Sequence, residues 1–261
     1  MVEWSTYMYK DIYCRDNEKI VECISKAYDY SLLHMPLVKE DKLLGLVDFY
    51  KLAGILSIVK DKFPELRCKD ILRFSVSHVS VKQRVGFSTL ISTIVNGKYT
   101  SLGVKSDPGD FTGTIMASDI ASVLVNSEEY FRDLRVRDVY SRKVGIISDS
   151  FPLTDILRII AKRRQPCLIV FDGRDVSGIL CLSDVLYLLS RFEVKPPIER
   201  MYADEFLKEP IRVDANTMLT DNTVLKGFKE PLLIIEDKEV SGMLTALDVL
   251  DYAISKTLRS E

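Results

Sequence analysis

Three aspartates stand at one fixed distance from a glycine, where a strand pattern gives way to a helix pattern. Asp119, Asp184 and Asp248 each follow a glycine by six residues. A carboxylate at such a junction can cap the helix, which is worth about 1 kcal/mol. It can also accept hydrogen bonds from two adjacent hydroxyls of a ligand, and such charge-assisted bonds are about twice as strong as neutral ones. The residues alone leave both uses open.

The glycines belong to an internal repeat. Residues 166–186 and 231–250 align with one gap at Gly173, and 11 of the 20 aligned positions are identical. Weaker copies occupy residues 35–56 and 101–124. The chain is therefore predicted to use one unit four times. The repeat glycines lie 68, 65 and 64 residues apart, at Gly45, Gly113, Gly178 and Gly242.

Periodicity within the unit predicts its elements. Apolar residues at i, i+3, i+4 and i+7 predict a helix from Ile20 and another from Leu153, the latter capped by Asp149 or Ser150. Two short apolar runs joined by a polar turn predict a β-hairpin, and a second helix pattern follows. The fold class is thus α/β, with four β-α-β-β-α units. We place them at residues 1–64, 65–130, 131–196 and 197–261 (units 1 to 4), and their thin cores suggest that they pair.

The unit resembles the cystathionine-β-synthase (CBS) domain. The ending "GMLTALDVL" at 242–250 has the family's glycine, apolar pair, Thr or Ser, and Asp before a helix, and "GILCLSDVL" and "GTIMASDIA" match all but the Thr. The resemblance implies that units pair into Bateman modules, 1 with 2 and 3 with 4. The two modules would form a disc-like assembly, either within one chain or through a homodimer.

The resemblance also implies binding of an adenosine-containing ligand, such as AMP, ADP, ATP, S-adenosylmethionine or NAD, between paired units. The glycine-plus-six aspartate would hold the ribose, which makes Asp119, Asp184 and Asp248 candidates. A hydroxyl at glycine-plus-three occurs only as Thr245. Unit 1 departs from the pattern, with Asp48 at glycine-plus-three and Lys51 at glycine-plus-six.

The phosphate end of such a ligand has no assigned contact. Many family members carry a basic residue at glycine-plus-five, whereas this chain has Tyr50, Ser118, Ser183 and Leu247 there. The basic run 162–164 could substitute, but at a helix end it is expected to complement the dipole in solvent. His34 is expected to be a structural, partly buried histidine rather than a phosphate contact. The glycine-bearing loop 103–113 lacks the Walker lysine and is expected to be a hairpin turn.

Composition excludes several classes of function. The 36 basic and 38 acidic residues are interspersed, which disfavours nucleic-acid and membrane partners. No signal peptide or spanning segment is evident, so we expect a cytoplasmic protein. The five cysteines form no C-x-x-C pair and lie near no histidine, so we expect unpaired thiols and no metal site. The two histidines lack a catalytic partner pattern, so we expect no enzyme activity.

Two functions are consistent with the sequence. The first is a non-catalytic regulatory sensor in which an adenosine ligand between paired units is read by a protein partner, which the sequence does not identify. The alternative is a ligand-free oligomerisation or protein-interaction scaffold with degenerate sites. Unit 1, which has lost both polar positions, and Met116, which replaces the hydroxyl in unit 2, suggest this alternative.

Overall fold

Each of the four units has the predicted β-α-β-β-α order. The computed structural model describes residues 4–56, 65–71, 76–77, 81–82, 85–173, 175–192 and 197–257. Unit 1 comprises β1 (Cys14–Arg15), α1 (Ile20–Asp29), β2 (His34–Lys39), β3 (Lys42–Asp48) and α2 (Phe49–Leu56). Unit 2 comprises β4 (Val76–Ser77), β5 (Val81–Lys82), α3 (Phe87–Gly97), β6 (Ser101–Lys105), β7 (Phe111–Met116) and α4 (Ala117–Ser127).

The second half of the chain repeats this order. Unit 3 comprises β8 (Ile146–Ser148), α5 (Leu153–Arg163), β9 (Cys167–Phe171), β10 (Val176–Cys181) and α6 (Leu182–Ser190). Unit 4 comprises β11 (Arg212–Asp214), α7 (Asn222–Lys226), β12 (Leu232–Glu236), β13 (Glu239–Leu244) and α8 (Ala246–Thr257). The exact unit boundaries stay a prediction, because residues 57–64 and 193–196 lie outside the described residues.

The first helix of a unit buries the predicted apolar stripe. Ile20 and its three periodic partners in α1 are buried, as are Leu153 and its partners in α5. The predicted caps of α5 are wrong: Pro152 occupies the N-cap position and no side chain caps this helix. Proline fixes the backbone angle that helix entry needs, so the chain turns two residues after Ser150.

The hairpins follow a common plan. In every unit a parallel strand lies beside the first hairpin strand, giving the sheet order β5-β6-β7 in unit 2, for example. A register shift interrupts each hairpin close to its repeat glycine. The loop between Gly103 and Gly113 is the expected hairpin turn, since β6 and β7 pair directly.

Each module is tied together by the segment that opens its units. Tyr9 of unit 1 exchanges two main-chain hydrogen bonds with Thr114 of unit 2, at 2.9 and 2.8 Å. Lys208 of unit 4 exchanges two with Ile179 of unit 3, at 3.0 Å each. Ser141 and Met243 join units 3 and 4 in the opposite direction, and β4 of unit 2 extends the sheet of unit 1 through β3. These contacts confirm the pairing of unit 1 with 2 and of unit 3 with 4.

The two modules join through their helices. Helix α2 of unit 1 packs on α5 of unit 3, and α1 packs on α6, where Tyr28 and Tyr187 stack with ring centroids 4.0 Å apart. Helices α3 and α4 of unit 2 pack on α8 of unit 4. One apolar core therefore spans units 1 and 3 and another spans units 2 and 4. The disc-like assembly thus closes within one chain.

Four of the five cysteines are paired, which corrects the expectation of unpaired thiols. Cys14 is bonded to Cys23, and Cys167 is bonded to Cys181. Cys68 is free, and burial raises the pKa of its thiol to about 12. Sequence spacing did not reveal the pairs because they form between a strand and a helix and across a hairpin, at separations of 9 and 14 residues.

Candidate functional site

Asp248 and Thr245 meet at the start of α8. The Thr245 main-chain N–H and hydroxyl both donate to Asp248 Oδ2, each at 2.7 Å. The Asp248 side chain therefore caps the first turn of its helix, which is one of the two roles expected from the sequence. Thr245 engages one carboxylate oxygen, so the capping contact does not consume the other, Oδ1.

The pKa of the Asp248 carboxyl group is unusually high for an aspartate. Burial raises the pKa of Asp248 to about 6, against the hydrogen bonds from Thr245, and the negative charge of Asp251 raises it further. Donors that hydrogen-bond to a carboxylate favour its ionised form, so hydroxyls arriving at Asp248 would lower this pKa.

A cavity of about 560 Å³ lies beside this pair. That volume is in the range of small-molecule sites. Asp248 and Thr245 line it from unit 4, Lys143 and Arg163 from unit 3, and Lys98 from unit 2. The wall thus combines two carboxylates, Asp248 and Asp251, with cationic side chains from other units. Its apolar contributions include Val95, Val144, Met243 and Leu247.

Arg164 does not lie in solvent as expected from its place in a basic run at a helix end. It adopts a left-handed conformation with φ of 48° after the last turn of α5, where the chain reverses. Its Nη1 donates to Asp48 Oδ2 at 2.9 Å, and its guanidinium stands over the Tyr50 ring at 4.9 Å. Arg164 Nη2 also donates to the Gly97 carbonyl at 3.3 Å. One arginine of unit 3 therefore binds groups of units 1 and 2.

His34 is fully buried, which confirms a structural role and corrects its expected partial exposure. Desolvation lowers its pKa to about 3, so the ring is neutral. Its Nε2 lies 2.8 Å from Arg164 Nη2. Because arginine can only donate, Nε2 accepts from Arg164. On the other side of the ring, Nδ1 lies 3.3 Å from Thr100 Oγ1 and 3.2 Å from the Thr100 main-chain nitrogen. Asp48, His34 and Arg164 thus fill the unit 1 position from within the chain.

The other two candidate aspartates are also held by side chains of this protein, and neither lines the large cavity. Asp184 Oδ2 lies 3.1 Å from Lys208 Nζ, and the Tyr28 hydroxyl is hydrogen-bonded to the same carboxylate. Tyr9 is hydrogen-bonded to Asp119, and burial raises the pKa of the Asp119 carboxyl group. The structure therefore brings Asp248 and Thr245 together, whereas Asp119 and Asp184 do not line the cavity beside this pair.

Three of the four glycine-plus-five residues converge at a second, smaller cavity. Ser118, Ser183 and Leu247 line it, together with Lys208 and Lys229. Its volume of about 70 Å³ is far below that of a nucleotide site. Sequence reasoning missed Lys98 and Lys143 as cavity residues, because neither stands at a family motif position and Lys98 belongs to a different unit.

Comparisons with known proteins agree with this geometry. Residues 136–191, within unit 3, match the CBS domain family. A Thermofilum pendens protein described as an uncharacterized 33.4 kDa protein in a ribosomal RNA operon is 24% identical over 226 residues, covering 82% of this chain and 70% of that protein. The family match covers one unit, and the match to the Thermofilum pendens protein covers most of the chain.

Two crystal structures share the fold over nearly the full length. A Methanocaldococcus jannaschii protein, described as a proposed archaeal homolog of g-AMPK, superposes with a TM-score of 0.78 at 14% identity, covering 95% of this chain and 98% of that one. An uncharacterized conserved protein from Pyrococcus horikoshii gives 0.58 at 16% identity, with the same coverage of 95% and 98%.

The fold and its closed arrangement of paired units define the class of Bateman-module proteins. Unit 3 is a CBS domain by its sequence match, and the same build recurs in the other three units. The chain thus contains a CBS domain within a fold of four like units in two modules. Among the described residues, no helix has the length and apolar content needed to cross a bilayer.

Proposed function

We propose that this protein is a non-catalytic sensor that binds a phosphate-bearing adenine nucleotide in the cavity beside Asp248. The observation that carries the proposal is that the cavity is lined by the Thr245–Asp248 pair and by three cationic side chains besides Arg164, which is paired with Asp48. In this reading the Asp248 carboxylate accepts from the two ribose hydroxyls and Thr245 holds it in place. Asp119 and Asp184 are left out of this proposed site, because neither lines the cavity.

The charge of the wall selects among the candidate ligands. Lys98, Lys143 and Arg163 supply positive charge where the ligand's polar tail would lie. AMP, ADP, ATP and NAD carry negative phosphates, whereas S-adenosylmethionine carries a cationic sulfonium and an amino group. Charge-assisted bonds to phosphate therefore favour the nucleotides. These three residues replace the basic side chain that the sequence lacks at glycine-plus-five.

Regulation would follow from where the cavity lies. Lys98 comes from the first module, whereas Lys143, Arg163 and Asp248 come from the second. A ligand that contacts both modules binds more tightly to the arrangement that brings them closest, and so shifts the population toward it. A protein partner that recognises that arrangement would complete the signal.

Calorimetric titration with AMP, ADP, ATP, NAD and S-adenosylmethionine tests the proposal. We expect at least one nucleotide to bind, S-adenosylmethionine to bind more weakly, and Asp248→Ala to lose at least ten-fold in affinity. Asp184→Ala is the matched control, because it removes an equivalent aspartate outside the cavity. Absence of binding by every nucleotide, or equal affinity in Asp248→Ala, would reject the proposal.

A ligand-free scaffold is the second candidate. The acidic residue at the repeat ending is engaged by another side chain of the protein in units 1, 2 and 3, as expected of decayed binding sites. The engaging side chains are Arg164, Tyr9 and Lys208, respectively. This function predicts stable association with copies of itself or with other proteins, and no nucleotide-dependent rise in thermal midpoint. The same titration distinguishes the two candidates.

A further inference from the structure

Three cysteine sulfurs converge in the core between units 1 and 3, away from the nucleotide cavity. Cys14 lies on β1, Cys23 on α1, and Cys68 on the short helix Cys68–Ile71. Their Sγ atoms all lie within 4.8 Å of one another, and all three residues are 0% exposed. Cys14 and Cys23 form the disulfide, and Cys68 is the free thiol beside it.

The position of Cys68 is fixed by the main chain rather than by its sulfur. The Cys68 N–H donates to the Glu18 carbonyl at 2.9 Å, and Lys69 N–H donates to the Asp16 carbonyl at 2.7 Å. Ile20 N–H donates to the Leu66 carbonyl at 2.8 Å. These bonds clamp the segment that carries Cys68 onto the loop between Cys14 and Cys23. The three sulfurs are therefore preorganised.

Packing alone does not require sulfur at these positions. In unit 3 the counterpart of Cys14, at the same place in the parallel strand, is the buried Ile147. The counterpart of Cys23 in the apolar stripe is the buried Ile156. Val136, the first residue of the short helix that opens unit 3, holds the place in its own unit that Cys68 holds in unit 2. Among the described residues, only the junction of unit 1 with the opening segment of unit 2 combines three cysteines.

We propose that, once the Cys14–Cys23 disulfide is reduced, the three sulfurs bind one soft, thiolate-preferring metal ion of the Zn²⁺, Cd²⁺ or Cu⁺ class. Metal–sulfur bonds of about 2.3 Å place three sulfurs in a trigonal arrangement about 4 Å apart. The three sulfurs lie within 4.8 Å of one another, so breaking the Cys14–Cys23 bond brings this spacing within reach of small side-chain shifts. Soft thiolates prefer such ions over Mg²⁺ or Ca²⁺. The disulfide and the metal complex then cannot exist at the same time, because both use the sulfurs of Cys14 and Cys23.

The chemistry balances in two steps. A small-molecule thiol reductant supplies two electrons and two protons to the disulfide, which yields the Cys14 and Cys23 thiols and oxidises two reductant thiols to their own disulfide. Binding of a divalent ion then replaces three thiol protons, which are released to solvent. The product is a three-thiolate complex with a single net negative charge, and it would join the opening of unit 1 to the segment that precedes unit 2's sheet.

Cadmium titration of the full chain tests the proposal, because cadmium–thiolate bonds absorb in the ultraviolet. In reduced protein we expect saturation at one ion per chain, and in the unreduced protein no such absorption from these sulfurs. A second reduced sample is refolded with Cd²⁺ present, so that slow entry into the core is not taken for absence of a site.

Two variants and one control locate the site. Cys68→Val, which adopts the counterpart residue of unit 3, should lose at least a hundred-fold in affinity; Cys14→Val serves the same purpose should Cys68→Val fail to fold. Cys181→Ala disrupts the other cysteine pair, which has no third sulfur among the described residues, and should bind as the unchanged protein does. Absence of cadmium absorption in both reduced samples, or its survival in Cys68→Val, would overturn the proposal.

Discussion

One repeat position supports different chemistry in different units. The glycine-plus-three residue is Thr245 in unit 4, where it orients Asp248 beside a cavity, and Asp48 in unit 1, where it is fully buried. Asp48 accepts from the Tyr50 N–H at 3.0 Å, as a helix cap, and also from Arg164. The same repeat position therefore lies in the proposed ligand site of one unit and in an internal ion pair of another.

Asp248→Asn should stabilise the protein near neutral pH while abolishing the proposed ligand binding. Because the folded state raises the pKa of Asp248 from 3.8 to about 6, the folded protein holds this proton more tightly than the unfolded chain. The associated stability is complete below pH 4 and is lost as the pH rises through 6. Asparagine avoids that loss, worth on the order of 2 kcal/mol, and its oxygen still accepts from Thr245.

Denaturant unfolding at several pH values measures this effect. The advantage of Asp248→Asn over the unchanged protein should be near zero at pH 4 and reach its full value above pH 7. Asp251→Asn, which changes a nearby acidic residue, should give a much smaller pH-dependent difference. A variant that is equally destabilised at every pH would contradict the assigned protonation of Asp248.

Arg164→Met should destabilise the protein strongly. It leaves Asp48 buried without its guanidinium partner, and breaking a buried pair in this way costs about 3–5 kcal/mol. Arg163→Met is the matched control, because Arg163 precedes it on the same helix end but is exposed. Denaturant unfolding of both variants measures the difference, and an effect of Arg164→Met no larger than that of the control would refute the role of the ion pair.

At the scale of elements, the repeat glycines allow the strand of a partner unit to approach. A Cβ at Gly178 would lie 2.8 Å from the Lys208 carbonyl oxygen, and one at Gly242 would overlap the Ser141 carbonyl oxygen. The glycine that identified the repeat in the sequence is therefore required by pairing between units. A chain reversal or a ligand is not needed to explain it.

Gly178→Ala should loosen the pairing of units 3 and 4 and cost about 2 kcal/mol, a typical value for overpacking. Gly86→Ala is the control, because a Cβ there meets nothing within 4 Å. Hydrogen exchange at Ile179 and Lys208 should speed up in Gly178→Ala alone. Unchanged exchange at these two amides would show that the close approach is not what the glycine serves.

At the scale of the whole molecule, the two largest apolar cores cross the boundary between modules. Calorimetry should therefore detect one cooperative unfolding transition, with equal calorimetric and van't Hoff enthalpies. Leu157→Ala, in the core shared by units 1 and 3, should shift that transition downward as a whole and cost about 2–5 kcal/mol. Two separate transitions, one per module, would contradict the shared cores.

The sequence was sufficient for the architecture because its signals are local or repeated. The stripe from Ile20, the hairpin runs and the spacing of Gly178 and Gly242 predicted the unit and its copy number. Contacts between distant segments had no such signal. Arg164 reaches Asp48 across 116 residues, and Lys98 enters a cavity formed largely by other units. The partners of Asp119 and Asp184 were missed for the same reason. The disulfides join cysteines only 9 and 14 residues apart, and they were missed because no cysteine pattern marked them.

The exchange of opening segments limits how a chain of this kind can gain or lose repeats. Loss of unit 4 alone would strip Ile179 of its main-chain partner Lys208 and leave Ser141 with no strand to pair with. Each unit donates an edge to its neighbour and receives one in return. Gene duplication or deletion would therefore preserve a closed set of hydrogen bonds only by acting on two adjacent units together, so the repeat number should change in steps of two.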